Sequence, residues 1–264
     1  MGGLRVERRE REVWLTLDRP EVRNALDDRL IATLHDQARA LAAEADVDVV
    51  VVAGDGPAFC AGADLAWMRR MREYDETRNL EDALAVAHLF HAFASLPMPV
   101  VARVHGAALG GGAGLMAVCD IVIAADNAVL GFTEARVGIL PATIAPYVIR
   151  RIGLAAARTL FLRAHRFTAA DALRLGLVDD VCPAGDLDVR VRERLGELAL
   201  GAASSHRATK SLLQDLAPLP DAHARRRTAE AIARQRVSED GQEGLRAFLE
   251  RRAPRWQEQA QRDA

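Results

Sequence analysis

The stretch that most constrains the fold is Val100 to Asp126, VVARVHGAALGGGAGLMAVCDIVIAAD. A β-branched run containing Val100, Val101 and Val104 ends in a cluster of glycines: Gly106, Gly110, Gly111, Gly112 and Gly114. A short apolar segment, Leu115–Cys119, then leads into a second strand-like run, Ile121–Ala125. The coarse reading is strand, glycine turn, short helix, strand. Glycines at this density let backbone approach a ligand closely and leave amide N–H groups free at a helix N-terminus. Such a site holds an anion without a charged side chain. A tight turn packed against a neighbouring element would use the same residues, and this stretch alone admits both.

The rest of the first 180 or so residues alternates strand and helix signals, which predicts stacked β/α units. Glu12–Asp18 alternates as a strand and Arg19-Pro20 stops it. Asn24-Ala25-Leu26-Asp27 opens a helix to about Ala43, with Asp27 as N-cap. Val47–Ala53 is a valine run of the kind buried on both faces of a sheet. Phe59–Leu65 (FCAGADL) is a small-residue loop running into a helix over Leu65–Met71, with Asp64 placed as its N-cap. Glu73–Asp82 reads as a charged, mobile connection before a helix over Leu84–Leu96. That helix carries His88 and His91, but no acid or cysteine stands at metal-motif spacing, and no metal site is expected.

Past the glycine stretch, Ala128–Phe132 reads as a short strand, and Glu134 follows it between apolar neighbours. A carboxylate there is desolvated with a raised pKa, unless Arg136 pairs with it. Two short helices (Pro146–Ile152, Ala155–Arg163), a helix capped by Thr168 and ended by Gly176, and a strand Leu177–Val181 follow. From Leu187 the pattern is helical, with helices to Leu200, over Arg207–Leu216, Ala222–Val237 and Gly241–Arg251.

Composition narrows the partners. Lysine plus arginine (35) nearly balance aspartate plus glutamate (37), for a net charge of −2, so no nucleic-acid or lipid-binding surface is expected. No apolar run approaches the ~20 residues of a membrane span. Cys60, Cys119 and Cys182 are far apart and odd in number, which suits a reducing compartment. A charged N-terminus with Arg5, Arg8 and Arg9 does not read as a signal peptide. A cytoplasmic location is expected.

Six segments, in order, resemble the crotonase (enoyl-CoA hydratase/isomerase) superfamily. They are Asn24-Ala25-Leu26, Phe59–Leu65, Gly106–Leu115 with Cys119-Asp120, Phe132–Gly138 with Pro141, Phe167–Val178 (FTAADALRLGLV), and Glu243–Trp256 (EGLRAFLERRAPRW). The resemblance implies an α/β fold, a crotonase-like spiral of ββα units over residues 1–200 with the acyl-CoA site. A C-terminal helical region over 201–264 would build homo-trimers or hexamers. It further implies an acyl-CoA thioester substrate, no separate cofactor, and an oxyanion hole formed by the backbone N–H groups of Ala63 and Gly111. Coenzyme A would meet Arg23, Ala61, Asp64, Leu65, Phe248 and Arg251. A nicotinamide-binding unit is a poor alternative, because the connection after the glycines is too short to cross over a parallel sheet.

One departure matters. Typical hydratases of this superfamily carry two glutamates; the later one matches Glu134, but the position of the first is Gly114. Three readings follow. The chain is a hydratase using Glu134 alone or with a relocated acid such as Glu73, Asp75 or Glu76, and TEARVGILPATIAPY (Thr133–Tyr147) resembles methylglutaconyl-CoA-type hydratases. It is a delta-isomerase, for which one glutamate suffices. Or it is a non-catalytic acyl-CoA binder. Trp67, Met68, Met71 and Phe90 are candidate acyl-tunnel residues that core packing would equally explain.

Overall fold

A computed structural model describes residues 3–257. Nine strands form two sheets: β1 (Leu4–Arg9), β2 (Glu12–Leu17), β3 (Val49–Gly54), β4 (Val100–Val104), β5 (Ala107–Leu109), β6 (Ile121–Ala125), β7 (Val129–Gly131), β8 (Arg166–Thr168) and β9 (Asp180–Cys182). The larger sheet has the order β1-β2-β3-β4-β6-β9 and is parallel apart from the β1–β2 hairpin. The smaller has the order β5-β7-β8. Successive strands enter the two sheets alternately, β4 then β5, β6 then β7, so the chain winds as the spiral of ββα units that the motifs imply.

The valine run shows why β3 needs no polar face. Val50 and Val52 join the main core with Val100, Ala102, Val104 and Val122, while Val49 and Val51 join Trp14, Val101 and Ile123 on the opposite face. Helix α7 (Leu187–Ala199) covers that second face with Leu187, Val191 and Leu195. A central parallel strand is covered on both sides, so continuous apolar sequence replaces alternation.

Helix α1 (Asp28–Ala42) starts where expected, Asp27 accepting from the Leu30 amide. Helix α2 (Leu65–Glu73) is capped by Asp64. The charged segment after it is a correction. Asp75 caps α3 (Glu76–Ala94) by accepting from Arg78 N. The buried Asn79 donates Nδ2 to the carbonyls of Met71, Tyr74 and Asp75. One amide thus closes the end of one helix onto the start of the next, and what reads as a mobile connection is ordered helix.

Other differences are smaller. Strands β1, β5 and β8 are not legible in the sequence; β1 is charged because it is a half-exposed edge, and the other two have three residues each. Helix α4 (Gly111–Ala117) begins four residues before Leu115, so the glycines are the helix. Strand β9 starts three residues after Leu177. Helix α5 (Ala145–Arg163) is divided at Gly153 (φ 75°), as the expected pair of helices requires.

Helices α6 (Ala169–Leu175), α8 (Ala203–Leu216), α9 (Ala222–Val237) and α10 (Glu239–Leu249) complete the chain. Helix α8 starts four residues before Arg207, and α10 starts at Glu239, two residues before Gly241. Helix α9 packs along α3, and α10 packs on α2 and on the 3-10 turn Glu134–Val137. The last seven residues of the expected C-terminal region lie outside the described residues. No described helix is long and apolar enough to cross a membrane.

Candidate active site

The small-residue loop is fixed by hydrogen bonds from the Asn-Ala-Leu segment. Asn24 is fully buried and donates Nδ2 to the carbonyls of Asp55 and Ala58, both at 2.7 Å, while its Oδ1 accepts from Arg19 N. Leu26 N donates to Gly62 O at 2.7 Å, and Leu26 O accepts from Asp64 N at 2.8 Å. This one-residue parallel bridge uses the groups flanking Ala63, so the Ala63 N–H points away from Leu26. Among the described residues the Ala63 amide has no acceptor, and Ala63 is exposed.

The glycine loop lies alongside. Cys60 N donates to Ala107 O and Cys60 O accepts from Leu109 N, bridging the two loops. A Cβ on Gly112 would fall 2.3 Å from the Cys60 carbonyl oxygen, so the backbones touch there. A Cβ on Gly111 would lie 3.1 Å from Leu26 Cδ1. Leu26 therefore touches both loops. Gly111 is the first residue of α4, and its N–H has no acceptor among the described residues. First-turn amides are unpaired by helix geometry and carry the positive end of the helix dipole.

Glu134 arrives from the other side. Its Oε1 lies 3.3 Å from where a Cβ of Gly110 would be; that residue, at φ 49°, has room for the carboxylate because it has no side chain. The Glu134 Oε2 is sealed from solvent and has no hydrogen-bond partner among the described residues. Burial pushes its pKa from the ordinary carboxylate range up to about 7. The alternative pairing with Arg136 does not form; Arg136 is exposed.

Gly114 is where the missing acid would stand, and its space is taken. A Cβ there would fall 2.3 Å from Ile144 Cγ2 and 3.1 Å from Phe90 Cζ. The relocated acids are not in the site either: Glu73, Asp75 and Glu76 are exposed, Glu73 pairs with Arg72, and Asp75 is a helix cap. Ile144 is a site residue that sequence reasoning missed. Nothing in its local pattern separates it from ordinary core.

A family model for enoyl-CoA hydratase/isomerase matches residues 9–259. The chain belongs to that family. A putative enoyl-CoA hydratase of Thermus thermophilus is 38% identical over 91% of this chain and 95% of its own length. The 2,3-dehydroadipyl-CoA hydratase of Escherichia coli is 34% identical over 96% and 98%. Among solved structures, an enoyl-CoA hydratase of Mycobacterium avium subsp. paratuberculosis superposes with a TM-score of 0.85 at 30% identity, covering 96% of this chain and 97% of that one.

The residues expected to meet coenzyme A are distributed as follows. Arg23 is exposed, and its carbonyl accepts from Ala61 N at 3.0 Å. The Asp64 carboxylate is buried and committed, Oδ1 accepting from Ala66 N and Trp67 N and Oδ2 paired with Arg19 at 2.9 Å. That side chain is therefore a loop anchor and not a ligand group. Leu65 is 44% exposed beside Ala63. Phe248 and Arg251 are exposed at the end of α10. Between α2 and this terminal segment runs a cleft of about 470 Å³ lined by Arg69, Arg70, Arg72, Glu73, Leu249 and Glu250. Trp67, Met68, Met71 and Phe90 are all buried in the main core.

Proposed function

We propose that the protein is an enoyl-CoA hydratase with a single acid/base carboxylate, Glu134. The amides of Ala63 and Gly111 would hold the thioester oxygen of a 2-enoyl-CoA as negative charge develops on it, the role in which one lost donor costs about 10²–10³ in rate. Ionised Glu134 takes a proton from water as the water oxygen bonds to C3. The enolate so formed takes that proton back from Glu134 at C2, giving the 3-hydroxyacyl-CoA and restoring the carboxylate. A pKa near 7 makes one carboxyl competent as base and acid at neutral pH. The observation that carries this reading is the buried, unpartnered Glu134 Oε2 beside the glycine loop.

The apolar plug of Ile144 and Phe90 at Gly114 favours a second reading, the delta-isomerase, in which Glu134 moves a proton from C2 to C4 of a 3-enoyl-CoA. Incubating the protein with crotonyl-CoA and with 3-hexenoyl-CoA separates the two. Gain of the mass of one water supports the hydratase; conversion to the 2-enoyl ester without mass change supports the isomerase. Binding without either reaction would support the acyl-CoA binder.

The arginine-lined cleft between α2 and the Phe248–Arg251 segment supports placing the coenzyme A phosphates there, with the coenzyme as part of the substrate and no separate cofactor. A trimer or hexamer is proposed on the exposed leucines of α8, Leu212, Leu213 and Leu216, at 53–73% exposure. Three buried free cysteines are consistent with a cytoplasmic location.

A further inference from the structure

Among the described residues, none other than Glu134 itself donates a hydrogen bond to the Glu134 carboxylate. Where the acid stands is therefore decided by the backbone of its 3-10 turn, Glu134–Val137. That turn is closed on itself. Arg136 N donates to Thr133 O at 3.1 Å, Gly138 N to Ala135 O at 3.3 Å and Ile139 N to Glu134 O at 3.2 Å. Among the described residues, one hydrogen bond reaches residues 133–141 from a distant part of the chain. Gln235, in the last turn of α9, donates Nε2 to Gly138 O at 2.8 Å.

Gln235 is itself held. Its carbonyl accepts from Ser238 Oγ at 2.8 Å, and a Cβ on Gly241 would fall 1.9 Å from that carbonyl oxygen, so α9 and α10 meet backbone to backbone at this joint. The acceptor is held in the same way. At φ 72°, Gly138 closes the 3-10 turn, and a Cβ there would fall 2.2 Å from Asp240 O in the first turn of α10. Donor and acceptor are thus set against each other by two close backbone contacts. The contact of Val137 with Gly244 presses on the turn without direction, whereas a hydrogen bond fixes both distance and angle. The carbonyl it fixes stands four residues after Glu134.

We propose that Gln235 is a positioning residue for the hydration, holding the Glu134 turn in place through the Gly138 carbonyl. This rests on the hydratase reading of Glu134. Gln235 acts through the backbone of the turn and donates to no reacting group. Placement of an acid/base tolerates little error, and a displacement of about 1 Å costs on the order of 10²-fold in rate. A turn freed of its tether also lets water reach the carboxyl, whose pKa burial holds at about 7.

The test is a pH profile on the full-length protein. Gln235→Met keeps the length of the side chain and removes its donor; Gln235→Lys keeps a donor. With crotonyl-CoA, Q235M should lose at least tenfold in kcat with KM within twofold of wild type. The acid limb of its kcat/KM should move down from about pH 7 toward the ordinary carboxyl value of 4.5. Q235K should stay within threefold of wild type with its limb in place. The position of the limb does not depend on how much of the enzyme is folded. Gln235→Ala, which also leaves the carbonyl without its donor, should shift it as Q235M does. A carbon-13 NMR titration of the glutamate carboxyls reads the same shift without turnover, the Glu134 signal being the one lost in Glu134→Gln. An unmoved limb and an unmoved carboxyl titration in Q235M overturn the proposal. So does a Q235K that fails as Q235M does, which would assign the effect to the shape of the side chain. Absence of hydration by the wild type removes the hydratase reading, and the NMR shift then decides alone whether Gln235 places Glu134.

Discussion

At the scale of single residues, the site is a problem of where one carboxylate's proton goes. Glu134 is held by burial with a pKa of about 7, so its base form is lost below neutrality. Hydration, which needs the carboxylate, should fall about tenfold per pH unit below 7 and level off above it; a flat kcat/KM profile between pH 5 and 8 would contradict this assignment. The same shift fixes the sign of a stability effect. A carboxyl with a raised folded pKa contributes most stability below its unfolded value of 4.5 and loses it as pH rises through 7. Glu134→Gln should therefore melt above wild type at pH 8, with the two converging toward pH 5. Gly114 carries the complementary expectation. Gly114→Glu must displace Ile144, so it should lower stability without raising activity, whereas the double variant with Ile144→Ala should recover stability. Thermal melts of the two variants read this directly.

At the scale of elements, close backbone contacts hold the site together. Gly244 of α10 lets the helix lie on the Glu134 turn: a Cβ there would fall 2.4 Å from the carbonyl of Val137. The end of the same helix is clasped by Arg252, whose fork donates to both oxygens of Glu243 at 2.7 and 2.9 Å. The terminal motif is thus a device for pressing α10 onto the acid-bearing turn. Gly244→Ala should cut activity more than tenfold while leaving the far-UV circular dichroism of the sheet core unchanged; wild-type activity would show that the contact does not position Glu134. The elements with dense local signals were legible: the β3 valine run, the caps Asp27, Asp64 and Thr168, and the glycine loop. Those that depend on distant partners were not. Helix α3 starts early because Asn79 satisfies carbonyls of a preceding helix, and α4 begins within the glycines because Gly112 must touch Cys60. The short strands β5 and β8 exist through pairing with β7 and have little pattern of their own.

At the scale of the whole molecule, the spiral gathers three segments that are separate in sequence, the loop at Ala63, the start of α4 at Gly111 and the turn at Glu134, with α10 from the far end of the chain packed on the Glu134 turn. The expectation at Ala63 and Gly111 could be drawn from motifs because it concerns backbone groups and depends on loop shape. Ile144 could not, because its significance lies in which neighbours it meets across the fold. One carboxylate, Glu134, serves both proton transfers in the proposed reaction. The most direct test of this is the hydration rate of crotonyl-CoA by Glu134→Gln against wild type at pH 7.5, with binding of the saturated butyryl-CoA as a check on the fold. General acid–base catalysis is worth roughly 10²–10⁴ in rate, and with no second acid at Gly114 the variant should lose at least 10³-fold. Hydration within tenfold of wild type would show that another group moves the protons and would contradict the account.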